Sequence, residues 1–254
     1  MENTDKKPKI QSVSRAADIL RCFHDEQLLG LTDISRMTGL HKSTAAGLVS
    51  TLCAEGLLMQ DPQSGKYSVG LEIFRLAKNV NTDINDICHP YLLELLGMVE
   101  ETVNLAMLDG DGIVYVDKID SPHSMRICSR IGQRLPFYCT ANGKALVSLL
   151  PESEQDEIIE NISTNTYTAN TITDKALLKN ALLECRSQGF ACDNEEYERG
   201  LICYAMPIIN PHGKTTLSIS VSSPIGRMND AYRDHILDSL RIISNKLSSA
   251  IAAL

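Results

Sequence analysis

Two side-chain pairs in this sequence have the chemistry for catalysis. Glu195 and Glu196 are adjacent carboxylates that could divide acid and base roles, and Cys88 and His89 could form a thiolate–imidazole dyad. Neither spacing suits the task. Neighbours on a helix point about 100° apart, which turns Cys88 and His89 away from each other, and adjacent carboxylates beside a strand serve more simply as solvated groups or turn caps. The G-x-S-x-G elbow, the P-loop, G-x-G-x-x-G and H-E-x-x-H are all missing from the sequence, so no enzyme is expected. The eight cysteines (Cys22, Cys53, Cys88, Cys128, Cys139, Cys185, Cys192, Cys203) never stand at C-x-x-C spacing. They read as small core side chains in a reducing compartment, and no metal or cofactor is implied.

Residues 42–55 offer a different chemistry. A helix here buries Ala45, Leu48, Val49 and Leu52 and turns Lys42, Ser43, Thr44, Ala46, Gly47 and Ser50 outward. Most of those outer residues are short, which lets a helix lie deep in the major groove of double-stranded DNA. The elements that must position it are legible upstream and downstream. Val13, Ala16, Ala17, Leu20 and Phe23 fall at helical spacing, closing near His24, with Ser12 or Ser14 available as N-cap. Thr32 then caps a short helix whose apolar face is Ile34 and Met37, Gly39 supplies the positive φ of the turn, and Leu40 plugs the corner. Gly56 stops the helix; residues 57–60, Asp61-Pro-Gln-Ser-Gly and residues 66–69 read as strand, turn, strand, with Lys66 on this wing. The order is that of a winged helix-turn-helix over residues 12–70. Ahead of it, residues 1–11 carry Lys6, Lys7 and Lys9 and read either as a flexible solvated tail or as a basic arm on DNA.

Charge agrees with this division once the chain is split. The net charge is −8, yet residues 1–75 hold nine cations and nine anions, so the whole surplus lies in residues 76–254. Acidity there leaves DNA contact to the N-terminal piece and makes binding depend on a dimer and on a few well-placed cations. The composition, 43% hydrophobic and 22% charged, is that of a globular protein. With no apolar run of membrane-span length and no signal-peptide pattern, a cytoplasmic protein without membrane contact is expected.

Residues 71–83 place Leu71, Phe74 and Ala77 on one stripe and Ile73, Leu76 and Val80 on another, more apolar face than one core needs. A helix over 84–99 should kink or restart at Pro90. Residues 103–108 and 113–119 flank Asp-Gly-Asp-Gly and predict a hairpin. A short strand at 125–129, helices after Thr140, at 152–161 and at 174–188, strands at 190–193, 201–209 and 215–221, and a last helix over 229–252 complete residues 84–254. The fold class is α+β, with a GAF-like antiparallel sheet and helices on its faces.

The chain resembles the IclR family of transcriptional regulators. That family's Val-x-Arg-Ala-x-x-Ile-Leu matches residues 13–20, Leu-Thr-x-Ile residues 31–34, Gly-Leu-x-Lys-Ser-Thr residues 39–44, Leu-x-x-x-Gly residues 52–56 and Tyr-x-x-Gly residues 67–70. Arg-x-Gly-x-x-x-Pro-x-x-x-Thr-Ala-x-Gly-Lys-Ala matches residues 130–145, and Gly-Tyr-x-x-Asp-x-Glu-Glu-x-x-x-Gly matches 189–200. Two positions depart: His41 stands where the family usually has Pro, and Gly47 where it usually has an Arg directed at DNA. The mid-helix Gly47 predicts close backbone approach to DNA or to another helix.

The resemblance implies a linker helix at 71–83 that also packs on another subunit, in a homodimer or homotetramer. It implies an effector-binding domain at 84–254, and repression as the default sign. Carried over position by position, the effector cavity would be lined by Ile127, Leu135, Ala141, Asn142, Asp193, Cys203, Ser220 and Ser222. A small organic acid suits those groups: the Ala141 and Asn142 amides can hold a carboxylate at a helix start, and Ser220 and Ser222 face one side of a strand. Asp193 can accept from a hydroxyl, and Asn142 either narrows the cavity or adds a polar contact. Lys144 and Arg130 read as structural salt-bridge formers. The alternative is a sensor or scaffold with weakened DNA binding, which the missing Arg at Gly47 keeps open.

Overall fold

A computed structural model describes residues 10–24, 26–77, 82–211 and 217–253. The Lys6, Lys7 and Lys9 tail and residues 78–81, Val80 among them, lie outside the described residues; the helix expected over 71–83 ends its described part at Ala77, and Thr82 and Asp83 open the next helix instead. Two compact units divide the chain, Met1–Thr82 and Asp83–Leu254.

In the first unit, α1 (Gln11–Arg21), α2 (Leu31–Thr38) and α3 (Lys42–Ala54) are followed by a hairpin of β1 (Leu58–Gln60) and β2 (Tyr67–Val69) and by α4 (Leu71–Ala77). Their apolar faces meet in one core of Ile19, Phe23, Leu29, Ile34, Val49, Leu52 and Leu58, with Leu40 packed at its edge as the corner plug. Met37, expected beside Ile34, is exposed instead; α2 meets the core through Ile34 and the half-buried Leu31. The expected caps also shift. The first helix begins before Ser12 and Ser14, with the Ser14 N–H already bonded to the Ile10 carbonyl at 3.1 Å. In α2 the cap is Gly30, whose N–H reaches the Asp33 carboxylate at 3.2 Å, so Thr32 lies inside the first turn. Gly39 adopts φ +67° at the turn. Gly70 is required by crowding: a Cβ there would stand 2.1 Å from the Gly56 carbonyl oxygen.

The second unit is built on a six-stranded antiparallel sheet in the order β5-β4-β3-β8-β7-β6. The strands are β3 (Thr102–Asp109), β4 (Gly112–Ile119), β5 (Arg134–Pro136), β6 (Ala191–Asn194), β7 (Leu201–Ile208) and β8 (Leu217–Pro224). Helices α5 (Thr82–Val99), α6 (Ala141–Val147), α7 (Glu152–Asn161), α8 (Lys175–Gln188) and α9 (Asp230–Ile251) complete it. Helix α5 continues through Pro90 without restarting; Cys88, Leu92, Leu95 and Val99 seat it on the sheet on both sides of the proline. Residues 125–129 form no strand. Their polar groups are taken by side chains: Thr102 Oγ1 donates to the Ile127 carbonyl at 3.0 Å, and Ser129 bonds Asn104. The sheet edge is instead β5, where Arg134 reaches Asp109 at 2.8 Å and Asp111 at 2.5 Å across the β3–β4 turn.

The two faces of this sheet differ in chemistry because side chains alternate along each strand. Val103, Leu105, Ile202, Tyr204, Met206, Leu217, Ile219 and Val221 face α5 and α9 in an apolar core. The opposite positions, Asn104, Ala106, Cys203, Ala205, Ser218, Ser220 and Ser222, carry small or polar side chains beneath α6. Small residues let α6 approach closely. Its Gly143 could not be otherwise, since a Cβ there would lie 2.3 Å from Phe137 Cα.

Candidate functional site

Helix α3 begins at Lys42 after His41, whose Nδ1 lies 3.4 Å from the Ser43 N–H and 2.9 Å from Ser43 Oγ. A proline at this position has no side chain with which to make that cap. Lys42, Ser43, Gly47 and Ser50 are exposed on α3, Thr44 and Ala46 are half-buried, and Ala45, Val49 and Leu52 hold the helix to the core. Lys66 is exposed where the wing turn meets β2. Asp61 fastens that turn by accepting from the N–H groups of Gln63 and Ser64, both at 3.1 Å. A Cβ at Gly47 would meet nothing within 4 Å, so no helix of the described chain approaches it, and that half of the expectation is corrected.

In the second unit all eight positions carried over from the family line one cavity, which offers about 60 Å³. That exceeds the roughly 10–15 Å³ that a single water position requires. Ser220 and Ser222 come from β8, Cys203 from β7, Asp193 from β6, Leu135 from β5, Ala141 and Asn142 from α6, and Ile127 from the loop before β5. Thr140 caps α6 through its hydroxyl, which accepts the Gly143 N–H at 3.3 Å. The Ala141 and Asn142 amides therefore lie in the first turn, where a helix has no acceptors of its own.

The cavity's polar groups hold one another. Asn142 bridges β8, donating to Ser220 Oγ and accepting from Ser218 Oγ, each at 2.8 Å. Asn104 donates to Ser222 Oγ at 3.2 Å and pairs with Ser129, while Cys203 Sγ lies 3.1 Å from Ser222 Oγ. Tyr115, Ser129, Gln133, Thr140 and Tyr197 complete the polar lining, with Glu198 exposed at the rim. Sequence reasoning did not single out Ser218, although its place two residues before Ser220 puts it on the same face. Asn104 gave no such signal, being a lone amide among apolar strand residues.

Asp193 is 2% exposed. Burial pushes its carboxyl up from the ordinary 3.8 to about 7, against the Glu196 N–H bonded to its Oδ1 at 2.7 Å and aided by the nearby Glu196 charge. The Lys144 ammonium lies beside it, already committed to Glu196 Oε1. That pair bears out the structural role expected of Lys144 and corrects the solvated reading of Glu196, which is buried and whose Oε2 has no partner among the described residues. Glu195 caps a turn instead, at φ +57°, accepting the Gly200 N–H at 2.7 Å. Burial also raises the thiols of Cys139, to about 12, and Cys203, so neither is a thiolate nucleophile at neutral pH. Cys128 departs from the expected core role by being exposed, on the cavity lining.

Among the described residues no His, Cys, Asp and Glu cluster could hold a metal, and no helix is long and apolar enough to cross a membrane. Two family profiles match the chain: the IclR helix-turn-helix domain over residues 12–62 and the C-terminal domain of the bacterial transcriptional regulator IclR over residues 77–249. The chain is similar to the HTH-type transcriptional regulator XynR of Escherichia coli, with 36% identity over 96% of this chain and 98% of that one. It is also similar to the E. coli regulator KdgR, with 34% identity over 96% and 94% of the two chains. The crystal structure of Thermotoga maritima IclR covers 96% of this chain and 100% of its own, with a TM-score of 0.74 and 26% identity. These relatives are transcriptional regulators and not enzymes, and they join a helix-turn-helix that binds DNA to a sheet-based effector domain. With both halves matched, the chain belongs to the IclR family of bacterial transcriptional regulators.

Proposed function

We propose that this protein is a sequence-specific repressor whose hold on its operator is modulated by a small organic acid bound in the second unit. Residues 12–70 bind DNA, residues 71–83 link, and residues 84–254 bind the effector. On DNA, Lys42, Ser43, Thr44, Ala46, Gly47 and Ser50 of α3 enter the major groove and Lys66 of the wing meets backbone. The exposed Leu71 and Leu76 of α4 favour a homodimer or homotetramer, which sets two such helices in successive grooves. The observation that carries the reading is the convergence of five strands and α6 on one small polar cavity rather than on a packed core. A cavity lined by hydroxyls, amides and the buried carboxylate of Asp193, with Glu198 at its rim, fits a compact, multiply oxygenated ligand.

Effector binding alters DNA affinity only by favouring one arrangement of the molecule over another. A mobility-shift titration with the gene's own upstream region, repeated with a panel of two- to six-carbon acids, tests both halves. The expected result is a specific shift at moderate salt that one acid relieves. No specific shift rejects the DNA reading; a shift indifferent to every acid rejects the effector reading. The open surface at Gly47 favours a second reading, a sensor with weakened DNA binding, which the same titration separates.

A further inference from the structure

We propose that the cavity takes its acid ligand together with one proton, which Asp193 and the ligand carboxylate share. The inference rests on the reading above that the ligand is an acid, and it follows from which charges the cavity contains. Among the described residues no Lys, Arg or His lines it, while the carboxylates of Asp193 and Glu198 do. The nearest ammonium, Lys144, is 3% exposed and bound to Glu196, so it is not free to neutralise a second anion.

The groups that face Asp193 come from every element around it. Lys144 lies on α6, Tyr115 on β4, Cys192 on β6 and Cys203 on β7, while Glu196, Tyr197 and Glu198 follow β6, and Cys139 precedes α6. Lys144 is the cation of this set. The buried charges Asp193, Glu196 and Lys144 therefore already sum to −1, and an acid entering as its anion would bring them to −2 among residues no more than 7% exposed. Two carboxylates held together in low dielectric titrate as a pair, with one proton retained far above its ordinary range.

The geometry says where that proton goes. Asp193 Oδ1 accepts the N–H groups of Glu196 at 2.7 Å and Tyr197 at 3.4 Å. Oδ2 is the oxygen left to be protonated, and it then donates a charge-assisted hydrogen bond to the ligand carboxylate. One ligand anion and one proton from bulk water enter; no covalent bond other than this O–H forms, and the charge balance closes at −1.

Calorimetric titration of the full chain at pH 8, in HEPES and in Tris, reads the proton directly from the dependence of the observed heat on buffer ionisation enthalpy. The probes are lactate, glycolate and the rest of the two- to six-carbon acid panel. With the free carboxyl titrating at about 7, proton uptake is expected to be near one at pH 8 and close to zero at pH 6. The Kd should be flat below pH 6 and weaken about 50-fold from pH 7 to pH 9. Asp193→Asn should retain acid binding with no proton uptake and a Kd independent of pH. An acid that binds the wild-type protein without proton uptake at pH 8 overturns the proposal and leaves the acid effector standing. If no acid binds even at pH 6, where Asp193 is neutral, the acid-effector reading and this proposal fall together.

Discussion

Replacing Lys144 by Met isolates the energetics of the second unit, because the change keeps the aliphatic stem and removes only the ammonium. In the native chain the Lys144 and Glu196 side chains are 4% and 9% exposed, and Lys144 is the only partner of Glu196 Oε1 seen among the described side chains. Removing one member of such a pair leaves a buried carboxylate without a counter-charge, at a cost of about 3–5 kcal/mol. For a domain whose total stability is about 5–15 kcal/mol, that loss moves a urea midpoint by about 1–2.5 M at an m-value near 2–3 kcal/mol/M. Tyrosine fluorescence reports the right unit, since seven of the eight tyrosines fall in residues 83–254. The companion Glu196→Gln should restore most of the loss in the Lys144→Met background, to within about 1 kcal/mol of wild type, because two neutral groups in place of a buried pair are tolerated. A single substitution costing under about 1 kcal/mol, or a double variant as unstable as the sum of its parts, would refute the claim that the two charges hold each other in place.

Other expectations are equally direct. The folded state holds the Asp193 proton more tightly than the unfolded chain does, so this carboxyl's contribution to stability declines as pH rises from about 4 to about 7, by up to about 4 kcal/mol. Comparing wild type with Asp193→Asn in urea across that range should show the wild type losing ground steadily; parallel curves would contradict it. Gly143→Ala should destabilise by about 2 kcal/mol or more despite alanine's better helix propensity, since its methyl meets the Phe137 backbone. Gly47→Ala should do the opposite, raising the thermal midpoint of the first unit through about 1 kcal/mol of helix propensity in open space. His41→Ala removes a cap and should cost the first unit about 0.5–1 kcal/mol by thermal melting.

Local signals in the sequence were legible where local physics decides. Asp-Gly-Asp-Gly gave the β3–β4 turn, with Gly110 at φ +59°. Asp174 caps α8 by accepting from Ala176 and Leu177, and Gly189 ends it at φ +78°. What stayed hidden depends on partners distant in sequence. Residues 125–129 have strand-like composition, yet Thr102 and Asn104 take up their polar groups. Burial of Glu196 is set by Lys144, 52 positions earlier. The cavity positions came from the family resemblance; their alternation on β8 is visible in the sequence, but the Asn104 and Asn142 links that join them to other elements are not.

The two hydrogen-bonded groups, Asn142 with Ser218 and Ser220 and Asn104 with Ser129 and Ser222, have a consequence for selectivity. A molecule entering this cavity finds few idle donors or acceptors; each polar contact it makes is a trade with an existing one. A visitor that returns every borrowed hydrogen bond gains little net energy, while one that orphans a buried hydroxyl or amide forfeits about 1–3 kcal/mol per group. Discrimination is thus exercised by rejection, and occupancy follows the abundance of a well-matched compound instead of saturating at trace levels. Such a receptor is suited to measuring a metabolite pool.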